Sequence, residues 1–228
     1  MKLFKVYLGV LMLLNVACTG NTQQLTFMKS DQHPLLRAAR NNDIEKINVL
    51  LAQGNLDLET KNTGGKTALL LATEQNHLQA AKLLIEAGAN VNTQDQIQDS
   101  PFLLAGARGY TEILRLCFEA NPDYTVFNRY GGTALIPACE RGHVETVKEI
   151  LLHKDFPIDH VNKLGWTALM EAILLSDGGP KHVQIVQMLV DAGCDVNIPD
   201  HDGITPLTLA KSRGYDKITE ILQKAGAK

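Results

Sequence analysis

The side chains able to do chemistry in this 228-residue chain include seven histidines, four cysteines and 25 acidic residues, and their spacing assembles no catalytic set. Metal-assisted hydrolysis from a helix face needs a His-Glu-x-x-His pair. Acyl transfer of the common kind needs a serine on a tight Gly-x-Ser-x-Gly turn. Neither occurs, and no Gly-rich loop stands ready to cradle a phosphate before a helix. His77 and His143 fall at the same phase of the chain, at the start of apolar runs, which suits local hydrogen bonding to turns better than metal ligation. His153 and His160 lie seven apart, and no metal site is expected there. Asp177 and His182 flank Gly178-Gly179-Pro180, but two groups on a Gly-rich loop lack a third to orient them. Cys117, Cys139 and Cys194 each take a small or apolar phase, so each has a packing reason to be there. In an oxidising compartment Cys117 and Cys139 could pair, but no Cys-x-x-Cys supports redox catalysis. These residues point to a chain that is not an enzyme and needs no metal or cofactor.

Composition narrows the rest. The chain is 45% hydrophobic, 21% charged and 5% aromatic, with a formal net charge of −3. That balance excludes wholesale disorder and offers no basic field for nucleic acid. So few rings imply a core of Leu, Ile, Val and Ala, as in closely packed helices.

The N-terminus reads as an address. Lys2 and Lys5 precede the uncharged apolar run Val6 to Leu14, and Asn15-Val16-Ala17-Cys18 follows, so residues 1–17 have the three parts of a secretory signal peptide. The run is too short for a permanent membrane span, which needs about 20 residues. A cysteine straight after a small residue at this place resembles the lipobox of bacterial lipoproteins, in which the thiol is diacylated. The resemblance implies lipidation at Cys18, with residues 18–30 as a polar tether. Asn15 departs from the aliphatic residue usual three before the cysteine, and a cleaved, soluble periplasmic chain is the alternative. Thr19 stands where an aspartate often retains such proteins at the inner membrane, so the outer membrane is favoured.

The remainder is one unit repeated. Thr67-Ala68-Leu69, Ser100-Pro101-Phe102, Thr133-Ala134-Leu135, Thr167-Ala168-Leu169 and Thr205-Pro206-Leu207 recur at intervals of 33, 33, 34 and 38 residues, and His33-Pro34-Leu35 is an earlier copy. After each anchor comes an Ala-centred run of helical period, a turn such as Arg141-Gly142-His143, and a second apolar helix. These second helices end in segments such as Ala87-Gly88-Ala89-Asn90 or Ala192-Gly193-Cys194-Asp195. An anchor Thr or Ser can cap the first helix, and a Pro after it costs no helix bond. Small residues such as Ala38, Ala39, Ala72 and Ala138 let helices approach closely.

This pattern resembles the ankyrin repeat, a β-turn followed by two antiparallel helices. The resemblance covers nearly all of the chain beyond the tether. It implies an all-α solenoid of six stacked repeats, at about 31–62, 63–95, 96–128, 129–162, 163–200 and 201–228. Three departures carry expectations. Gln98 replaces the turn glycine found as Gly65, Gly131, Gly165 and Gly203, so its turn should be distorted. Pro137 removes an early helix donor in the fourth repeat, where adjustment rather than a break is expected. The fifth repeat is about four residues longer, and Ser176 to His182 should form an ordered bulge at the helix–helix corner.

In ankyrin repeats the turn tips and first helices form a concave binding surface, and the resemblance carries that rule onto this chain. Ile97, Tyr130 and Leu164 share one tip column, Arg129 and Lys163 lie beside them, and Trp166 precedes an anchor. Arg108 and Arg141 share a first-helix column. Aromatics beside arginines are typical of interface hot spots. Packing of Trp166 and Tyr130 against the next turn is the other reading. The expected function is a non-enzymatic, monomeric protein–protein interaction module in the bacterial periplasm, with a membrane contact only through its lipid. A chaperone or protector of a periplasmic enzyme and an exported effector acting on host proteins are the alternatives.

Overall fold

The computed structural model describes residues 33–228; Cys18 and the segments expected to be a signal peptide and a tether lie outside them. Twelve helices fill the described residues, in six antiparallel pairs, without a strand. They are α1 (Pro34–Arg40) and α2 (Ile44–Ala52), α3 (Ala68–Glu74) and α4 (Leu78–Glu86), α5 (Pro101–Arg108) and α6 (Thr111–Glu119). Then follow α7 (Leu135–Glu140) and α8 (Val144–Leu151), α9 (Ala168–Leu174) and α10 (Pro180–Asp191), α11 (Pro206–Ser212) and α12 (Asp216–Lys224). Each odd-numbered helix packs on its own partner and on the next odd-numbered helix, and the even-numbered helices form a parallel ladder behind. Among the described residues no helix is long and apolar enough to cross a membrane.

The anchors do what their chemistry allows. Thr67, Ser100, Thr167 and Thr205 sit in extended backbone, and each hydroxyl accepts from the N–H three residues on. Such a cap is worth about 1 kcal/mol. Apolar residues of both ladders then close a continuous core, with Leu35, Leu69, Ile113, Leu135, Ile150 and Leu169 essentially sealed from water. Each contributes on the order of 2 kcal/mol by leaving solvent. Small residues set the spacing of the inner ladder. A Cβ added to Gly106 would lie 2.7 Å from the Cβ of Ala134 and 2.9 Å from its carbonyl oxygen. The few aromatic rings are not spread evenly. Phe102, Phe118, Tyr124 and Phe156 form a chain of ring contacts at 5.0–6.3 Å, with His153 stacked on Phe118 at 3.6 Å.

The departures resolve differently from one another. At Pro137 the adjustment is local: α7 starts at Leu135 and has six residues, and Thr133 makes no cap. Thr133 Oγ1 is buried without a hydrogen-bond partner among the described residues. The expected distortion at Gln98 is absent. Gln98 adopts a φ of 62°, beside 79° and 73° at Gly65 and Gly131, and keeps the turn bond from its N–H to the Asp95 carbonyl at 3.1 Å. The turn's side-chain bonds hold a glutamine in left-handed backbone, at a cost of about 1 kcal/mol.

The insertion in the fifth repeat divides in two. Only 175–179 form the bulge, because Pro180 supplies the first position of α10, where its missing N–H costs nothing. The rest lengthens α10 to 12 residues, against nine in α4, α6 and α12. Tyr215 pins the bulge, its hydroxyl donating to the Ser176 carbonyl at 2.7 Å.

Candidate concave binding site

Every turn tip between repeats is built around one Asn or Asp. The Oδ1 atoms of Asn62, Asp95, Asn128, Asn162 and Asp200 each accept from the backbone N–H groups two and four residues on, at 2.8–3.0 Å. Such a double acceptor fixes the tip and therefore where its side chains project. Neighbouring tips are joined by backbone bonds, from Gln96 N–H to the Gly64 carbonyl and from Lys163 N–H to the Tyr130 carbonyl. The loop side is stitched in the same way. His77 Nε2 donates to the Arg40 carbonyl and His182 Nε2 to the Glu140 carbonyl, each in the preceding repeat.

Between these tips and the first helices of the third to fifth repeats lies a concave cavity of about 740 Å³. Its lining includes Arg108, Arg129, Tyr130, Arg141, Leu164 and Trp166, six of the eight positions expected from the sequence. Tyr130 is 53% exposed and Leu164 45%, so both present their side chains to solvent rather than to the stack. Trp166 is half-buried, held by its own N–H on Asn162. Arg129 lies over the Tyr130 ring, 4.9 Å from its centre, and reaches Asp99 at 3.5 Å. Arg141 is exposed and gives one guanidinium N–H to the Ala107 carbonyl.

The other two expected residues fall outside the cavity. Ile97 is exposed on the neighbouring tip. Lys163 serves the scaffold: its stem covers Gly131, and Nζ donates to the Arg129 carbonyl.

Two carboxylates escaped the sequence reading. Glu171 is only 6% exposed, yet it lines the cavity. It stands where Leu71, Leu104 and Leu209 stand in other repeats, and that mismatch of type was the available signal. Its Oε1 accepts from the Asn162 side-chain amide at 2.8 Å. Burial pushes its carboxyl up to about 7, with the Glu140 charge adding to the shift and the Asn162 bond and Arg141 opposing it. Glu140 is the second carboxylate, and the nearest arginine nitrogen lies 4.0 Å away, on Arg141. His143 lines the same wall, and burial followed by the Arg141 charge lowers its pKa.

Cys117, Cys139 and Cys194 are buried free thiols, so Cys117 and Cys139 are not bridged. Burial pushes Cys117 and Cys194 up to about 12, which removes them from nucleophilic chemistry. Among the described residues no three His, Cys, Asp or Glu side chains gather as a metal-ligand set.

Comparison with known proteins agrees with this geometry. The family described as ankyrin repeats, in three copies, matches residues 7–95 and 102–200. The Escherichia coli (strain K12) ankyrin repeat protein YahD is 42% identical over 84% of this chain and 95% of its own length. A crystal structure of an ankyrin repeat domain from Acinetobacter baumannii is 52% identical. It covers 87% of this chain and 100% of its own, with a TM-score of 0.84. The ankyrin repeat domain of Bcl-3, from the IkappaB protein family, is 26% identical with a TM-score of 0.76, covering 86% of each chain.

Proposed function

This chain belongs to the ankyrin repeat family, and from that premise we propose that it is a non-enzymatic module holding a protein partner in the groove of its third to fifth repeats. Ankyrin repeats mediate protein–protein interaction, and that much comes with the family. The observation that carries the location is the cavity itself. It gathers Tyr130, Leu164, Trp166, Arg108, Arg129 and Arg141 on one face, with the aromatic and apolar groups at least partly open to solvent. A large ring beside a guanidinium supplies apolar area and directional donors together, as hot spots do. The bound segment would run along the tips, where the Asx-fixed turns hold the side chains in place before binding and so reduce the entropy lost.

The N-terminal signal and Cys18 support a periplasmic site of action, with the repeats tethered to the outer membrane through a lipidated Cys18. Fatty-acid labelling should be lost in Cys18→Ser; labelling that persists would contradict the tether. The groove is tested by a photoreactive residue placed at Tyr130 and, as control, at exposed Lys148 on α8 of the opposite ladder. Adducts to a protein at Tyr130 and not at Lys148 are expected. Adducts at Lys148 alone would overturn the groove assignment.

A further inference from the structure

The repeats carry their own indication of what fits the groove. In the second repeat Lys66, just before the anchor, pairs its ammonium with Glu74 near the end of α3. Counted from the anchors, Gly132 stands in the fourth repeat where Lys66 stands in the second, and Glu140 stands where Glu74 stands. The fourth repeat therefore keeps the carboxylate and lacks the lysine. Gly132 and Glu140 both line the 740 Å³ cavity, and Glu171 from the next repeat adds a second carboxylate. One oxygen of Glu171 is held by Asn162, and no hydrogen bond to the other is made by the described residues. Of the cavity's three arginines, Arg108 is exposed and makes no ion pair with Glu140 or Glu171, and Arg129 is engaged with Asp99 and Tyr130. Arg141 is held on the Ala107 carbonyl and reaches Glu140 only at 4.0 Å.

We propose that the cavity receives a lysine side chain of the partner, its ammonium seated between Glu140 and Glu171 with its stem along Trp166 and Leu164. This inference rests on the concave-groove reading and names the chemistry of the partner. The space opened by Gly132 suits a lysine on internal precedent, since the second repeat fills the equivalent space with one. Glu171 must be ionised to hold the ammonium. The charges bearing on it are those of Glu140 and Arg141, and Cys139 lies close enough on α7 to feel Glu171 in turn. With its carboxyl near 7, affinity should fall about tenfold from pH 8 to pH 6, following the ionised fraction.

The test uses the full chain labelled with ¹³C at glutamate carboxyls and three capped tripeptides: Gly-Lys-Gly and its norleucine and arginine counterparts. Saturable shifts of the Glu140 and Glu171 resonances by the lysine peptide are expected, weaker at pH 6, and absent with norleucine. Glu171→Gln should weaken binding at least tenfold. Gly132→Lys should abolish it by supplying the ammonium from within, and Lys66 beside Asn62 shows that this turn accepts a lysine. Equal binding of norleucine, tighter binding of arginine, or unchanged binding by both variants would overturn the assignment. A partner crosslinked at Tyr130 while the lysine peptide stays inert would sink the lysine and leave the groove standing.

Discussion

Glu171→Gln should make the protein more stable at neutral pH, and the gain should depend on pH in a defined way. A glutamine keeps the shape and still offers an oxygen to the Asn162 amide, so the perturbation is the loss of one ionisable proton. The carboxyl moves from an ordinary 4.5 in the unfolded chain to about 7 in the native one. A carboxyl whose native pKa is raised leaves stability untouched while both states are protonated. It removes stability as pH climbs from the unfolded value through the native one, because the unfolded chain then sheds its proton more readily. At 1.36 kcal/mol per unit the full span is about 3 kcal/mol, most of which develops between pH 5 and pH 8. Paired urea titrations of the wild type and Glu171→Gln across that range, followed by two probes to confirm a single transition, measure the difference directly. The stability gap should widen in favour of the variant as pH rises and level off above pH 8. A gap that stays flat, or that narrows, would refute the claim that burial raises the Glu171 carboxyl in the native protein.

Other substitutions test the scaffold. Gly106→Ala should destabilise by about 2 kcal/mol in urea despite alanine's better helix propensity, because its Cβ would lie 2.7 Å from that of Ala134 and force the α5–α7 contact apart. Gln98→Gly should stabilise by about 1 kcal/mol in the same assay, since the turn is already in the left-handed region that glycine occupies without penalty. Cys117, Cys139 and Cys194 should resist iodoacetamide at pH 8 in the native protein, where the Cys117 and Cys194 thiols, near 12, are only about 10⁻⁴ ionised and burial holds Cys139 well above the ordinary thiol value; all three should alkylate fully in guanidinium, as read by mass spectrometry.

The repeat was legible because stacking imposes one period on every copy, and anchors such as Thr67 and Thr167 recur at the caps they form. The tip columns were legible for the same reason: Tyr130, Leu164 and Trp166 line one cavity because their tips are stacked. What escaped depends on contacts between copies. Asn162 looks like any other tip residue until its spare amide is seen to reach Glu171. Glu171 registers as a carboxylate in a leucine column, but whether it points to water, core or groove is decided by helices on either side. The turn at Gln98 keeps its shape without a glycine, although backbone preference alone argues for a distortion. The Asp95 side chain, accepting from Ile97 and Asp99, holds the turn regardless. The bulge lies where the sequence places it but ends at Gly179 rather than His182, because Pro180 serves as a helix start.

The most direct measurement is the affinity of the partner captured at Tyr130 for three alanine variants of the full chain. A groove in the third to fifth repeats predicts that Tyr130→Ala and Trp166→Ala each weaken binding by about 30-fold or more, on the scale of a hot-spot loss of about 2 kcal/mol. It also predicts that Lys148→Ala, on the opposite ladder, changes binding by less than about twofold. Full affinity in both aromatic variants, with the loss appearing at Lys148, would contradict it.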